Sequence, residues 1–187
     1  MVEENKHHGE LVLTVPEDLE VQVQEHEITV KGGKGQLTKS FKEDFIDYET
    51  GKGRLRIIAH SKRHPLRKQK AIMGAIAGHI KNMYKGVTEG YTYRMKAVYS
   101  HFPMKISQQG NEIIIGNFLG EKYPRKAKIL EGVTVKIDKQ DLTLEGIDKD
   151  LVAQTAANIE QSTKIKKLDP RVFQDGIYII EKDGRKP

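Results

Sequence analysis

Residues 27–32 read EITVKG, and residues 112–117 read EIIIGN. The two phrases stand 85 residues apart, and each sits among short apolar runs that end in a helical stretch. Before the first phrase come Leu11–Val15 and then Leu19, Val21 and Val23, alternating with Glu20, Gln22 and Gln24. A period of two is the mark of a half-buried strand. Gln36–Phe41 and Arg54–Ile58 continue the series, the latter behind a Gly51-Lys52-Gly53 turn. The period then changes. Ile72, Ile76 and Ile80 recur every fourth residue, with Met73, Ala77 and Met83 alongside, which predicts a helix. Pro65 suits its first turn and Gly86 its stop. Gly74 and Gly78 each cost about 1 kcal/mol in propensity relative to alanine. The expected return is a close approach of this helix to a sheet.

The second half follows the same plan. Tyr91, Tyr93, Met95, Ala97 and Tyr99 alternate with Thr92, Arg94, Lys96 and Val98, a strand with its cations on one face. Ile113–Ile115, Ala127–Leu130, Val133–Ile137 and Leu142–Leu144 read as further strands. DKDLVAQTAANIEQSTKI (148–165) reads as a helix with Asp148 as its N-cap. Identity between the halves is low, so the match supports a shared plan and not a register. The expected fold is α+β, two similar domains in tandem, each an antiparallel sheet with a helix packed on one face. The boundary falls in VTEGY (87–91), giving domains 1–88 and 89–187.

Charge is segregated along this plan. Residues 1–49 hold 5 Lys/Arg against 12 Asp/Glu, and residues 50–90 hold 10 against 1. Residues 91–187 hold 17 against 13. Segregated basic segments are the usual footprint of a polyanion partner. The sequence contains no cysteine, which excludes disulfides, thiolate metal sites and cysteine nucleophiles. No apolar run approaches the roughly 18 residues of a membrane span, and MVEENKHHGE has no apolar signal core. Neither a membrane nor a secretory route is expected.

Catalytic chemistry is not legible. HEITV (26–30) is not a zinc helix signature, and Pro65 interrupts any helix across His60 and His64. No cofactor and no metal is expected, and the chain does not read as an enzyme. Lys31–Gly35 has the composition of a phosphate loop. However, Gly33-Lys34 is followed by Gly35 and Gln36 and then by a strand pattern. A phosphate loop needs a hydroxyl residue after its lysine and a helix after that. A β-hairpin is the better reading, with glycines 32, 33 and 35 supplying positive φ.

Three segments combine cations with flat or apolar groups. SKRHPLRKQK (61–70) surrounds the start of the first helix with five cations and no acid. NFLGEKYPRKAK (117–128) sets Lys122, Arg125, Lys126 and Lys128 about Tyr123. QSTKIKKLDPRVFQDGIYIIEK (161–182) offers Lys164, Lys166, Lys167 and Arg171, then Phe173 and a turn at Asp175-Gly176. Cations of this kind neutralise phosphates, and aromatic rings stack on bases. The alternative is a solvated surface whose aromatics pack inward.

The last segment also resembles a known pattern. Gln161, Ile165, Arg171, Phe173, Asp175, Gly176, Ile177, Tyr178, Ile179 and Lys182 fall on the C-terminal motif of the large-subunit ribosomal protein six family. Eukaryotes call this protein nine. Leu168 alone departs, standing where the family has a cation. KGVTEGY (85–91), YSHFP (99–103) and NFLGEKYPR (117–125) also resemble this family, and GVTEGYTYRMKAVYSHFPMK (86–105) and RVFQDGIYIIEK (171–182) resemble its archaeal branch. The resemblance implies two similar α+β domains and a structural role in the large subunit of the cytoplasmic ribosome. It implies binding of large-subunit ribosomal RNA by the second domain, near the sarcin–ricin loop and the stalk base. Neighbouring ribosomal proteins would be partners, with translation factors in proximity. Lys164, Lys166, Lys167, Arg171, Phe173 and Tyr178 are the first residues implied, either touching RNA or shaping the loop that does. Lys122, Tyr123, Arg125 and Lys126 come next, then His101 and Phe102. Two other readings stay open on the residues alone: a phosphate- or nucleotide-binding enzyme using 31–35, and a non-ribosomal RNA or protein interaction module.

Overall fold

A computed structural model describes residues 2–3, 9–51, 53–60, 63–100, 102–166, 169 and 171–186. The chain divides into two compact units, Met1–Glu89 and Gly90–Pro187. Unit one runs β1 (Val2–Glu3), β2 (Glu10–Thr14), β3 (Glu20–Gln24), β4 (Glu27–Gly32), β5 (Gly35–Ser40), β6 (Ile46–Gly51), β7 (Arg54–Ala59) and α1 (Leu66–Thr88). Unit two runs β8 (Tyr91–Val98), β9 (Lys105–Gln109), β10 (Glu112–Gly116), β11 (Arg125–Lys128), β12 (Val133–Asp138), β13 (Asp141–Gly146), α2 (Lys149–Ser162) and β14 (Gly176–Lys182).

The class is α+β in two repeats, and each unit distributes its strands over two antiparallel sheets. Unit one has a four-stranded sheet ordered β1-β2-β7-β6 and a three-stranded sheet ordered β3-β4-β5. Unit two has β14-β8-β13-β12 and β9-β10-β11. The orders correspond strand for strand. The outer strand beside β2 comes from before it in the chain, as β1, whereas the outer strand beside β8 comes from the far end, as β14. EITVKG and EIIIGN are the central strands β4 and β10 of the two small sheets.

Each helix contacts strands of both sheets in its own unit. α1 contributes Met73, Ile76, Ala77, Ile80, Met83 and Val87 to a core with Leu13, Ile28, Val30, Ile46, Leu55 and Ile57. α2 contributes Val152, Ala156 and Ile159 to a core with Tyr91, Tyr93, Met95, Ile113, Ile115, Leu142 and Leu144. Asp148 caps α2, its Oδ1 accepting the Asp150 amide at 2.9 Å. α1 has no such device: its N-cap is Pro65 and its first turn carries no acid.

Two glycine expectations are corrected. A Cβ built on Gly74 or Gly78 meets nothing within 4 Å, so this pair does not seat α1 on a sheet. Both lie two residues from Ile76, about 200° around the helix, and therefore face away from the core. In the 32–35 turn, Gly35 has positive φ at 144° whereas Gly32 and Gly33 do not. Gly32 is required by crowding, because a Cβ there would stand 2.7 Å from Val87 Cγ2 and 2.8 Å from Leu19 Cδ2.

Candidate nucleic-acid interface

The Gly/Lys turn closes on the end of its own helix. The Lys34 amide donates to the Val87 carbonyl at 2.8 Å, and Lys34 Nζ donates to the Glu89 carbonyl. A cation on unpaired helix C-terminal carbonyls satisfies orphan acceptors and favours the helix dipole. Lys31 lies 3.8 Å from Glu20 across the sheet. Lys34 is thereby engaged by the fold, and the turn is followed by β5 and not by a helix. The requirements of a phosphate loop are not met.

In unit two the same hairpin position opens into residues 117–124 between β10 and β11. Asn117, Leu119 and Gly120 have positive φ. For Leu119, at φ 50°, that is a strained conformation costing about 1–3 kcal/mol, held by its surroundings. Phe118 is fully buried and anchors the loop. The Arg125 guanidinium lies 4.2 Å from the Phe118 ring centroid. Arg125 Nη1 donates to the carbonyls of Ser162 and Lys164 at 2.9 and 3.0 Å. Its Nε and Nη2 donate to the two Glu121 carboxylate oxygens at 2.8 and 2.6 Å. This pair holds the Glu121 carboxyl below its ordinary pKa, mainly through the hydrogen bonds from Arg125. Arg125 thus locks the 117–124 loop to the end of α2, and its side chain is only 20% exposed.

Ser100, Phe102 and Pro103 join the other segments here. The Ser100 amide donates to Oδ1 of the buried Asp175 at 3.3 Å. Asn117 Nδ2 donates to the Pro103 carbonyl at 3.1 Å, and the Phe102 ring lies against Gly120. Thr163 Oγ1 accepts the Ile177 amide at 3.0 Å, pinning the end of α2 to the start of β14. Three segments distant in sequence therefore converge on one part of unit two.

What they present is cationic and aromatic. Lys122, Lys164 and Lys166 are exposed, and Tyr123 is 78% exposed instead of packed on its sheet. Phe102 is partly exposed. Arg171 projects into solvent in a bidentate pair with Asp169, at 3.1 and 3.0 Å. Lys126 pairs with Glu112 across the hairpin at 3.1 Å, an exposed contact worth at most about 1 kcal/mol. Phe173 is half-buried. Tyr178 is 41% exposed, and its hydroxyl donates to the Gln174 carbonyl at 3.1 Å. The Tyr178 ring covers Gly176, where a Cβ would come within 3 Å of it. His101, Lys167 and Leu168 lie outside the described residues. The fixing contacts made by Glu121, Thr163 and Asp169 are not legible in the sequence. Only Glu121, four residues from Arg125, leaves a visible spacing cue.

The family described as ribosomal protein L6 matches residues 15–90 and 102–176, one match in each unit. The large ribosomal subunit protein uL6 of Archaeoglobus fulgidus is 47% identical over 178 residues, covering 92% of this chain and 89% of that protein. The protein of the same description from Methanococcus vannielii is 45% identical over 173 residues, covering 92% and 93%.

Proposed function

The chain belongs to the ribosomal protein L6 family, and from that premise we propose that it is a structural constituent of the large ribosomal subunit. Its second unit binds large-subunit ribosomal RNA near the sarcin–ricin loop and the factor-binding stalk base. Neighbouring ribosomal proteins are its other partners, and translation factors pass close by. The observation that carries this reading is the convergence of Ser100, Phe102 and Pro103 with residues 117–125, 162–166 and 171–175 into one braced protrusion. Lys122, Tyr123, Lys164, Lys166 and Arg171 are its contacting groups, with Phe102 and Tyr178 at its margin. Arg125 and Asp175 act by holding the loops. A rigid scaffold loses little entropy on binding, so its charges act on RNA at little ordering cost.

Crosslinking of the full chain on large-subunit RNA, read by mass spectrometry, tests this. Peptides spanning 117–128 and 161–182 are expected to carry nucleotides. RNA affinity is expected to fall with salt, by about 0.7–0.9 log units per log unit for each phosphate neutralised. Absence of nucleotide from both peptides, or a salt-independent affinity, refutes it.

A further inference from the structure

α1 breaks three local rules on one face. From Leu66 to Thr88 it carries Arg67, Lys68, Lys70, Lys81 and Lys85 and no acid. Cations in its first turn oppose the helix dipole, and no side chain caps its start. Gly74 and Gly78 weaken it and contact nothing that a Cβ would disturb. Locally unfavourable choices without internal compensation are expected where function requires them.

The placement is coherent. Arg67, Ala71, Gly74, Gly78 and Lys81 follow one another at three- and four-residue intervals, with Lys70 beside them, and so form one stripe. It lies opposite Met73, Ile76, Ile80 and Met83, which face the core. Arg67, Lys70 and Lys81 are exposed and have no ion-pair partner among the described residues. Some surface cations elsewhere are matched, as in Lys31–Glu20, Arg56–Glu10, Arg94–Glu181 and Lys136–Glu145, whereas these three share one stripe of a helix that carries no acid. Between its cationic ends the stripe is a floor of alanine and glycine, where a ligand can approach the helix backbone closely. The rise from Arg67 to Lys81 is about 21 Å. The stripe itself carries no large apolar side chain; Leu66, at the start of α1, is the helix's one exposed large hydrophobic among the described residues. An apolar protein partner would find little to bury there.

We propose that this face of α1 is a second RNA contact. The sugar–phosphate backbone of folded RNA lies on the Ala71–Gly74–Gly78 floor, clamped by Arg67 and Lys70 at one end and Lys81 at the other. That the polyanion is RNA rests on the function proposed above; that the face receives a polyanion rests on its unmatched charge.

The test uses the full chain and a large-subunit RNA fragment titrated across salt. R67Q/K70Q/K81Q is expected to flatten the log–log salt slope by about 0.7–0.9 for each phosphate left without its cation. G74Q/G78Q leaves the charge unchanged and supplies a better helix former, so its thermal midpoint holds or rises while affinity falls at least tenfold. K122Q/K164Q/K166Q in unit two is the reference. If both α1 variants bind as the parent does while the reference variant weakens, the α1 contact is overturned and the RNA reading stands. If the reference variant also binds unchanged, the RNA reading itself fails. Loss by the α1 variants of a nuclease-resistant protein partner, with RNA binding intact, overturns the proposal in favour of a protein docking face.

Discussion

Replacing Arg125 by methionine removes the guanidinium and keeps a long apolar stem over Phe118. The loss divides into parts. Two hydrogen bonds run from a charged donor to the carbonyls of Ser162 and Lys164. Each such bond contributes about 1.5–3 kcal/mol, less where water can replace the donor. The Glu121 carboxylate is 41% exposed, so the bidentate pair is discounted to about 1 kcal/mol or less. The cation over the ring adds roughly 0.5–1 kcal/mol. With partial rehydration of the carbonyls, R125M is expected to cost about 2–4 kcal/mol. R125K should recover less than half, since one ammonium cannot reach two carbonyls and a carboxylate at once. Urea titration followed by circular dichroism measures the loss. The pH dependence adds a second signature. Glu121 has a depressed folded pKa, so its contribution is present above the unfolded value, about 4.3, and is lost as pH falls below it. The gap between parent and R125M should therefore narrow on acidification from pH 6 to pH 3. A variant within about 0.5 kcal/mol of the parent, with an unchanged gap across pH, refutes the assignment of Arg125 as a lock. A weakened RNA affinity at unchanged stability would mark it as a phosphate ligand instead.

Gly32→Ala should destabilise unit one by about 1–3 kcal/mol, because the added methyl meets Val87 and Leu19 inside 3 Å and the Val87 carbonyl at 2.9 Å. A denaturation midpoint equal to the parent's would show that the helix end can move aside. Tyr84, 8% exposed, has a buried hydroxyl with no hydrogen-bond partner among the described residues, and burial pushes its pKa to about 12. The unfolded phenol ionises near 10, so stability is full below about pH 10 and falls as pH rises toward 12. Tyr84→Phe should be neutral or slightly stabilising at pH 7 and should lose less stability between pH 10 and 12. Thermal melts across that range check this, and parallel curves for the two proteins would refute it.

The duplicated plan is legible because strand and helix periods are local signals. The division of each unit into two sheets is not, because it depends on which edges pair over long separations. β9, reading KISQQ with a mostly exposed pattern, carries too few apolar residues to announce itself. The outward orientation of Gly74 and Gly78 is legible in principle. Their spacing places them on one face, and their phase against Ile72, Ile76 and Ile80 says which face.

The cations of the site are legible as a set, but what holds each one is not. Arg125 finds its carbonyl acceptors 37 and 39 residues away, beyond any local pattern. The two units nevertheless make the same joint. Lys34, from the β4–β5 turn, donates to carbonyls at the end of α1, and Arg125, at the start of β11, donates to carbonyls at the end of α2. The joint is structural in both, which removes one cation from each candidate contact surface. The difference lies in the loop length it supports. In unit one the strands are joined by Gly33 and Lys34 alone, and the lysine is absorbed by the helix end. In unit two the insertion of residues 117–124 leaves the joint in place and carries Lys122 and Tyr123 out beyond it. Exposure of a cation and an aromatic ring on a strained, internally braced loop serves no packing purpose. In this fold, a partner's site is marked by what the joint leaves free and not by the count of lysines.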